Sequence, residues 1–524
     1  MKKEEIVKEK ERKAAEPKKE TGKEKKEGVI EKYSIKTEDI EMEVIIKRDA
    51  LGLSYNIIIP EWAPATQALI KEIRRELITE IQVSGQEILD PKVVEKLKKK
   101  FRKRSEILIK EKLPRIDEKT KDYLIGTLLH EMLGLGKIEF LLTDENLEEI
   151  IVNSADEPVR IYHKKYGWLI TNISVETETQ IQNYASIIAR RVGRQITTLN
   201  PLLDAHLITG DRSNAVLYPI STKGSTITIR KFARDPWTVT DFIKSNTCNS
   251  YIFALLWLAF QYEMSILISG GTGSGKTSFL NVCTPFIPPN HRIISIEDTR
   301  ELQLPKFLYW CPLITRLPNP EGKGEVTMLD LLVNSLRMRP DRIILGEIRR
   351  QRDAEVLFEA MHTGHSVYAT VHADTIQQTI NRLIYPPISI APNMLGAVNL
   401  NVVMFRERRK GIRRVYQVGE FITEETEKIT VKPNILFRWK PTTDTIVQHG
   451  ESLKFFEEIS RNTGMSQKDI IDDIKQKQKI LDYLVKNNIR RMEDIGKVTN
   501  KYYHDPDIVM DIINKKGKTD ELLK

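Results

Sequence analysis

The sequence predicts an α/β protein: a mostly parallel sheet in the second half, preceded by a smaller α/β domain. Three observations carry this. Residues 241–420 alternate short apolar strands with helical segments, the pattern of parallel strands joined by helices that cover both sheet faces. A glycine-rich turn, Gly270-Gly271-Thr272-Gly273-Ser274-Gly275-Lys276-Thr277, lies between the apolar run Ser265–Ser269 and a segment that can open a helix, Thr277–Asn281. Two further apolar runs, Ile293–Ile296 and Arg342–Leu345, lead straight into carboxylates.

The elements follow in chain order. The first 28 of the 524 residues hold 11 Lys/Arg and 8 Glu and almost nothing apolar. Such a segment buries too little surface to offset its ordering entropy, so 1–28 is expected to be a disordered charged tail; it has no apolar h-region and is no signal peptide. Residues 29–115 mix strands (Glu43–Ile46, Tyr55–Ile59) with charged helices, an N-terminal α+β extension. Its basic run Lys96–Arg104 reads as a solvated helix face, with contact to acidic lipid or a partner as the alternative. Residues 116–232 form an α/β domain: a helix Thr120–Leu133 stopped by Gly134-Leu135-Gly136, strands near 149–153 and 159–162, and the alternating run Ser225–Arg230. A polar, Pro-bearing linker, 233–240, serves as a hinge. The core domain spans 241–450, and the run Tyr251–Phe260 is one of its buried helices. Ile470, Ile471, Ile474, Leu481, Leu484 and Val485 fall at helical spacing, so 451–524 is a helical C-terminal appendage.

The net charge of +9 with 30% charged residues is mildly basic. No run approaches the roughly 18 apolar residues of a membrane span. Cys248, Cys283 and Cys311 form no CxxC pair, which argues against a zinc site or disulfide framework and fits a reducing cytoplasm.

The chemistry centres on the glycine turn, which has the G-x-x-x-x-G-K-[ST] spacing. Glycines let the backbone of Gly271, Thr272, Gly273, Ser274 and Gly275 curl so that N–H groups point inward at phosphate oxygens. The helix N-terminus at Lys276, Thr277 and Ser278 adds its positive dipole end. Lys276 reaches the β/γ-phosphates and the Thr277 hydroxyl ligates Mg²⁺. Hydrolysis also needs carboxylates and further positive charge. Glu297, Asp298 and Glu301 follow one strand and Glu347 another, at the sheet edge where such folds bind ligands. Gly346-Glu347 replaces the usual Asp-Glu ending, so the 297–301 cluster is expected to compensate. His365 and His372 flank a further strand and are read together as nucleotide sensors.

These segments resemble the type II/type IV secretion and pilus-assembly ATPase superfamily, in the archaeal branch that includes the archaellum motor ATPase. The resemblance runs from about 130 to 420 through Gly134–Glu139, Gly224–Phe232, Ile296–Pro305, Leu336–Asp341, Gly346–Arg349 and Thr363–Asp374. It implies a RecA-like P-loop ATPase core with ATP and Mg²⁺ as cofactors. It also implies a homohexameric ring at the cytoplasmic face of the membrane, working with a polytopic membrane protein and pilin-like filaments. Residue by residue, Glu301 matches the glutamate that polarises water, Glu347 the glutamate near Mg²⁺, and His372 the sensor histidine. Arg212, Arg230, Arg316 and Arg337 fall where the family has arginines, some of which face nucleotide. Arg350 departs from the Asp of many bacterial members, and their CxxC zinc module is absent.

Two other functions compete. A nucleic-acid translocase or conjugation ATPase would use the same fold, but no aromatic-plus-basic platform for single strands is evident. A nucleotide-gated scaffold with little turnover would not need the clustered carboxylates.

Overall fold

The computed structural model describes residues 28–523 apart from 38–39, 50–51, 60–63, 81–90, 208–209, 233–234, 319–321, 408, 426–428 and 516–518. The expected tail lies outside the described residues except for Gly28, which opens a strand. The chain divides into two compact units, the first ending at Lys231 and the second beginning at Phe232.

The first unit is built on one sheet of nine strands: β1 (Gly28–Thr37), β2 (Ile40–Asp49), β3 (Gly52–Ile58), β4 (Leu147–Val152), β5 (Arg160–His163), β6 (Gly167–Thr171), β7 (Leu202–His206), β8 (Arg212–Val216) and β9 (Thr226–Arg230), in the order β1-β2-β3-β6-β5-β4-β9-β8-β7. Only β3–β6 is parallel; the other pairings are antiparallel. The predicted division between 29–115 and 116–232 therefore does not separate two sheets. The two parts join where β3 pairs with β6, Ser54 beside Ile170 and Tyr55 beside Thr171, and Tyr33 and Tyr55 donate their hydroxyls to the fully buried Asp144 Oδ2 at 2.7 and 2.9 Å. Strand β2 alternates over its first half, with Met42 and Val44 inward and Glu41 and Glu43 outward, and then buries both Ile45 and Ile46.

Three helices, Pro64–Glu80, Pro91–Lys112 and Glu118–Leu133, close a smaller core of their own around Ile73, Leu77, Phe101, Leu108 and Leu128. The basic run lies on the middle helix, whose Leu97 and Phe101 face inward, leaving Lys96, Lys99, Lys100 and Lys103 exposed. The third helix starts at Asp117, whose carboxylate accepts the Thr120 N–H, and ends where the N–H groups of Gly134 and Gly136 both reach the His130 carbonyl. Gly136 is left-handed (φ +57°), and a Cβ there would meet the Tyr184 hydroxyl at 2.4 Å.

The second unit carries the mixed sheet β12-β11-β13-β14-β10-β15-β16-β17-β18. Its strands are β10 (Ile266–Gly270), β11 (Arg292–Glu297), β12 (Tyr309–Ile314), β13 (Arg342–Leu345), β14 (Ser366–Val371), β15 (Leu400–Glu407), β16 (Ile412–Glu425), β17 (Ile429–Lys440) and β18 (Thr445–Gln448). From β12 through β15 all neighbours are parallel; β16, β17 and β18 continue it antiparallel. Every residue of β10, β13 and β14 is buried, as expected of strands covered on both faces. The helix Ser250–Gln261 is buried from Ile252 to Phe260 without a break. At about 1.5–3 kcal/mol for each large apolar side chain, it anchors the unit.

Two predicted segments are integrated into this unit. The C-terminal helices are no appendage: Ile470, Ile474, Leu481, Leu484, Val498 and Tyr502 belong to the same apolar core as the helix Ser250–Gln261. Trp257 stacks on Phe286 at 5.2 Å and donates its indole N–H to the Tyr503 hydroxyl at 2.7 Å. Lys477, fully buried, lies between the Trp257 and Tyr502 rings and pairs with Asp473. The apolar stripe read from spacing had to bury against something, and this core is its partner. The predicted linker is fixed from Asp235 onward: Arg490 holds Asp235 at 2.7 Å and Asp241 at 3.0 Å, and Trp237 packs edge-on against Phe242. Among the described residues no helix is long and apolar enough to cross a membrane.

Candidate functional site

The phosphate loop leaves β10 at its C-terminal end and enters the helix Lys276–Cys283. Gly270, Gly273 and Gly275 have φ of +150°, +71° and +93°. Space as well as conformation demands glycine: a Cβ on Gly270 would sit 2.6 Å from the Met404 carbonyl oxygen, and one on Gly271 2.9 Å from Asp374 Oδ1. Three donors converge on the Gly271 carbonyl oxygen: Lys276 Nζ at 3.2 Å, the Ser274 hydroxyl at 2.8 Å and the Ser274 N–H at 3.3 Å. That is the donor set a phosphate oxygen requires. Lys276 also donates to the Gly270 carbonyl at 2.9 Å. Burial holds its ammonium below the usual lysine range, against the pull of Glu347, Asp374 and Glu301. Thr277 is half-buried on the first helical turn, and Thr272, Gly273 and Ser278 are exposed at the mouth.

The carboxylates sit where parallel neighbours β11 and β13 end. Glu347 Oε1 accepts from His372 Nε2 at 2.8 Å, and Oε2 takes Arg349 through Nε at 2.7 Å and Nη2 at 2.6 Å. Arg349 Nη1 continues to Asp298 at 2.7 Å, and Asp298 accepts the Thr315 hydroxyl at 3.2 Å. On its other side His372 Nδ1 faces Lys276 Nζ at 3.3 Å. The ammonium can only donate, so Nδ1 is the acceptor and the ring proton is on Nε2, aimed at Glu347. Burial, then the neighbouring Lys276 charge, holds His372 below the usual histidine range, which keeps it neutral. Lys276, His372, Glu347, Arg349 and Asp298 thus form one connected line.

Glu297 does different work from its neighbours. It is buried, and its Oε1 accepts the N–H groups of Glu301 and Leu302 at 2.9 and 3.1 Å. Burial pushes its carboxyl up to about 7, and Oε2 has no hydrogen-bond partner. It folds the loop that presents Glu301, which is exposed. The compensating cluster is therefore divided: Asp298 reaches Glu347 through Arg349, while Glu297 is a buried brace.

Of the two histidines read as sensors, only His372 is at this site. His365 precedes β14 at the opposite end, where its Nδ1 lies 3.2 Å from the Ala360 carbonyl at the close of the helix Gln351–His362. Strand β14 lies between them, so pairing them by sequence was wrong. Arg316 donates to the Gly324 carbonyl at 2.6 Å and Arg337 closes the helix Met328–Leu336, both as local structure.

In the first unit, Arg212 and Arg230 are direct cross-strand partners on β8 and β9, both exposed. Arg212 grips Asp204 at 3.1 and 2.7 Å. Burial opposes ionisation of Asp204, yet the Arg212 hydrogen bonds and charge hold its carboxyl below the usual range. Glu149 is the register partner of Arg230 on the other side.

Sequence reasoning missed Arg406 and Arg413, which flank the loop from the β15–β16 hairpin. Arg413 Nε donates to the Gly273 carbonyl at 3.2 Å, and Arg406 Nη1 lies 2.6 Å from where a Gly273 Cβ would be. The basic run around Gly411 was a signal, but nothing local says that the hairpin returns to the loop.

The geometry suits Mg-nucleotide. The glycine cradle admits phosphate, and Mg²⁺ asks for only one or two protein oxygens beside phosphate and water, which Thr277 and Glu347 supply in kind.

The sequence matches the family described as type II/IV secretion system protein over residues 131–411. An uncharacterized protein of Methanocaldococcus jannaschii is 36% identical over 383 residues, 72% of this chain and 68% of its own length. A putative conjugal transfer protein of Mycobacterium tuberculosis is 31% identical over 258 residues, 48% of this chain and 72% of its own. The VirB11 ATPase of the Brucella suis type IV secretion system, solved with sulphate, aligns at 24% identity over 56% of this chain and 93% of its own, with a TM-score of 0.28.

Proposed function

We propose that this chain, which belongs to the type II/IV secretion system protein family, is an ATP-hydrolysing motor of a secretion, pilus or archaellum assembly machine. The observation that carries the reading is the line Lys276–His372–Glu347–Arg349–Asp298 at the mouth of a glycine phosphate loop. A phosphate bound there draws on the Lys276 ammonium and the loop N–H groups. Glu301 orients a water on the γ-phosphorus and takes its proton as the β–γ bridge breaks and ADP leaves. Thr277 and Glu347 would hold Mg²⁺, which when bound would supply charge neutralisation at the phosphates. His372 joins the lysine that touches phosphate to the glutamate beside it, so it registers the nucleotide's state.

The partners in this reading are further copies of the chain in a ring, a polytopic membrane protein and a pilin-like filament, at the inner face of the membrane. Arg212 and Arg230 add charge to the phosphates, from the same chain or from a neighbour in the ring. A mixing experiment tests this: Lys276→Ala chains combined with Arg230→Ala chains. If the arginine acts across subunits, the mixture hydrolyses ATP faster than either variant alone. A wild-type chain fully active as a monomer at every dilution defeats the ring motor.

A conjugation-type ATPase is the second reading, favoured by the conjugal transfer relative. Hydrolysis stimulated by single-stranded DNA with a steep salt slope would select it.

A further inference from the structure

Arg406 and Arg413 are direct partners across the β15–β16 pair. Two like charges opposite each other weaken a hairpin, so their placement asks for a reason beyond the sheet. Both meet the same residue of the phosphate loop. Arg413 Nε–H is bonded to the Gly273 carbonyl at 3.2 Å, and its Cδ lies 3.4 Å from where a Gly275 Cβ would be. Arg406 Nη1 fills the space over Gly273 that any side chain there would claim.

The consequence follows from peptide geometry. In a trans peptide the C=O and the following N–H point in opposite directions. By holding the Gly273 carbonyl outward, Arg413 turns the Ser274 N–H inward. That N–H is one of the three donors that converge at the Gly271 oxygen. The glycines that make the loop flexible enough to curl also make this peptide free to flip. A fixed donor on the outside removes that freedom.

We propose that Arg406 and Arg413 form a clamp, carried by the hairpin, that positions the phosphate loop for nucleotide binding. Arg413 acts through a directed hydrogen bond and Arg406 through charge and contact. Both are positioning residues. The inference rests on the nucleotide-binding reading of the loop and goes beyond it, because it adds a tie from outside the loop to a peptide that the loop itself holds only through the Ser274 N–H on the Gly271 carbonyl at 3.3 Å.

The experiment is binding of a fluorescent methylanthraniloyl ATP to the full chain with Mg²⁺, alongside KM and kcat for ATP, in Arg413→Gln, Arg413→Lys, Arg406→Gln and Arg406→Lys. Arg413→Gln is expected to weaken binding and raise KM about tenfold, the loss of one charge-assisted hydrogen bond, with kcat moved far less. Arg413→Lys should not rescue it, since lysine has no Nε–H donor in that position. Arg406→Lys should bind nearly as wild type while Arg406→Gln does not. Wild-type affinity and KM in a folded Arg413→Gln overturn the clamp. If Arg413→Gln does not fold, unchanged affinity in Arg406→Gln overturns it instead. The outcomes separate from the underlying reading. Binding lost in Lys276→Ala but intact in both arginine variants sinks the clamp alone. A wild-type chain that binds no ATP sinks the reading of the loop.

Discussion

The second unit contains the same three-residue wiring twice, at opposite ends of one sheet. At the C-terminal ends of the strands, Lys276 faces His372 Nδ1 at 3.3 Å and His372 Nε2 meets Glu347 at 2.8 Å. At the N-terminal ends, Arg342 Nε donates to His291 Nδ1 at 3.0 Å and His291 Nε2 meets Glu263 at 3.5 Å. Each is a cation, a neutral histidine and a glutamate in the same order. They differ in access. The Arg342 side chain is 0% exposed and locked to the Ser366 and Tyr368 hydroxyls at 3.0 and 2.5 Å. His372 is 37% exposed, and Lys276 rests on loop carbonyls that an anion can replace. The open triad differs in that its cation rests on partners an anion can displace. The enclosed one has the same chemistry, and its guanidinium ties β13 to β14 and to His291 just before β11.

The largest expected contrast is between the two cations. Lys276→Ala should cut ATP turnover by about a thousandfold, roughly 4 kcal/mol of transition-state stabilisation, with the thermal midpoint nearly unmoved. Arg342→Ala should cost about 3 kcal/mol of stability, from a cavity and stranded acceptors, with KM for ATP little changed in the folded fraction. Turnover loss in both, or stability loss in both, would erase the distinction.

The glutamates should differ next. Glu347→Gln is expected to bind ATP but hydrolyse it about a hundredfold more slowly. Glu263→Gln, on a half-exposed residue, should change stability by less than about 1 kcal/mol and leave turnover alone. A Glu347→Gln enzyme at wild-type speed would leave the open triad without a catalytic role.

The smallest effect concerns the histidines. Burial, then the adjacent cation, lowers both below the usual range. A histidine depressed in the folded state lets the unfolded chain take up its proton first. Stability is therefore lost as pH falls through about 6.5, the ordinary histidine value. For His291, whose side chain is 15% exposed, the loss should be the larger; for the more exposed His372 it should be smaller, because solvent screens it. Urea titrations at pH 7.5 and 5.5 measure this. His291→Gln should flatten the slope, and a slope it leaves unchanged would show that His291 is not the group responsible.

The open triad was partly legible in the sequence and the enclosed one was not. Lys276 announces itself by glycine spacing, and Glu347 and His372 lie at the ends of apolar runs, where strand length fixes which edge they reach. Glu263 and His291 stand before two strands and Arg342 opens a third, with no motif, and the parallel register that sets Ile293 beside Arg342 brings the last two together. The same limit hid β1, where Lys32, Tyr33 and Ser34 are extended by pairing with β2. It also hid the single sheet of the first unit, since β3 meets β6 across more than a hundred residues. Helical spacing did reveal the stripe on the C-terminal helix Gln467–Lys486. It could not reveal that the stripe packs into the nucleotide-binding unit's own core rather than standing apart.

Strand β16 places Arg413 and Arg414 side by side, and neighbouring residues on a strand face opposite ways. Arg413 holds the Gly273 carbonyl. Arg414 grips Asp444 at 2.7 Å with both Nε and Nη2 and donates to the Ser245 carbonyl at 3.2 Å, where the helix Val239–Lys244 ends. One residue further, the Val415 N–H bonds the Thr247 carbonyl at 2.8 Å. Strand β16 is therefore a short crossbar between the phosphate loop and the first helix of its unit. The phosphate loop and the end of that helix thus hang on three consecutive residues of one strand, so the fit of Gly273 and the fit of Ser245 and Thr247 are set together.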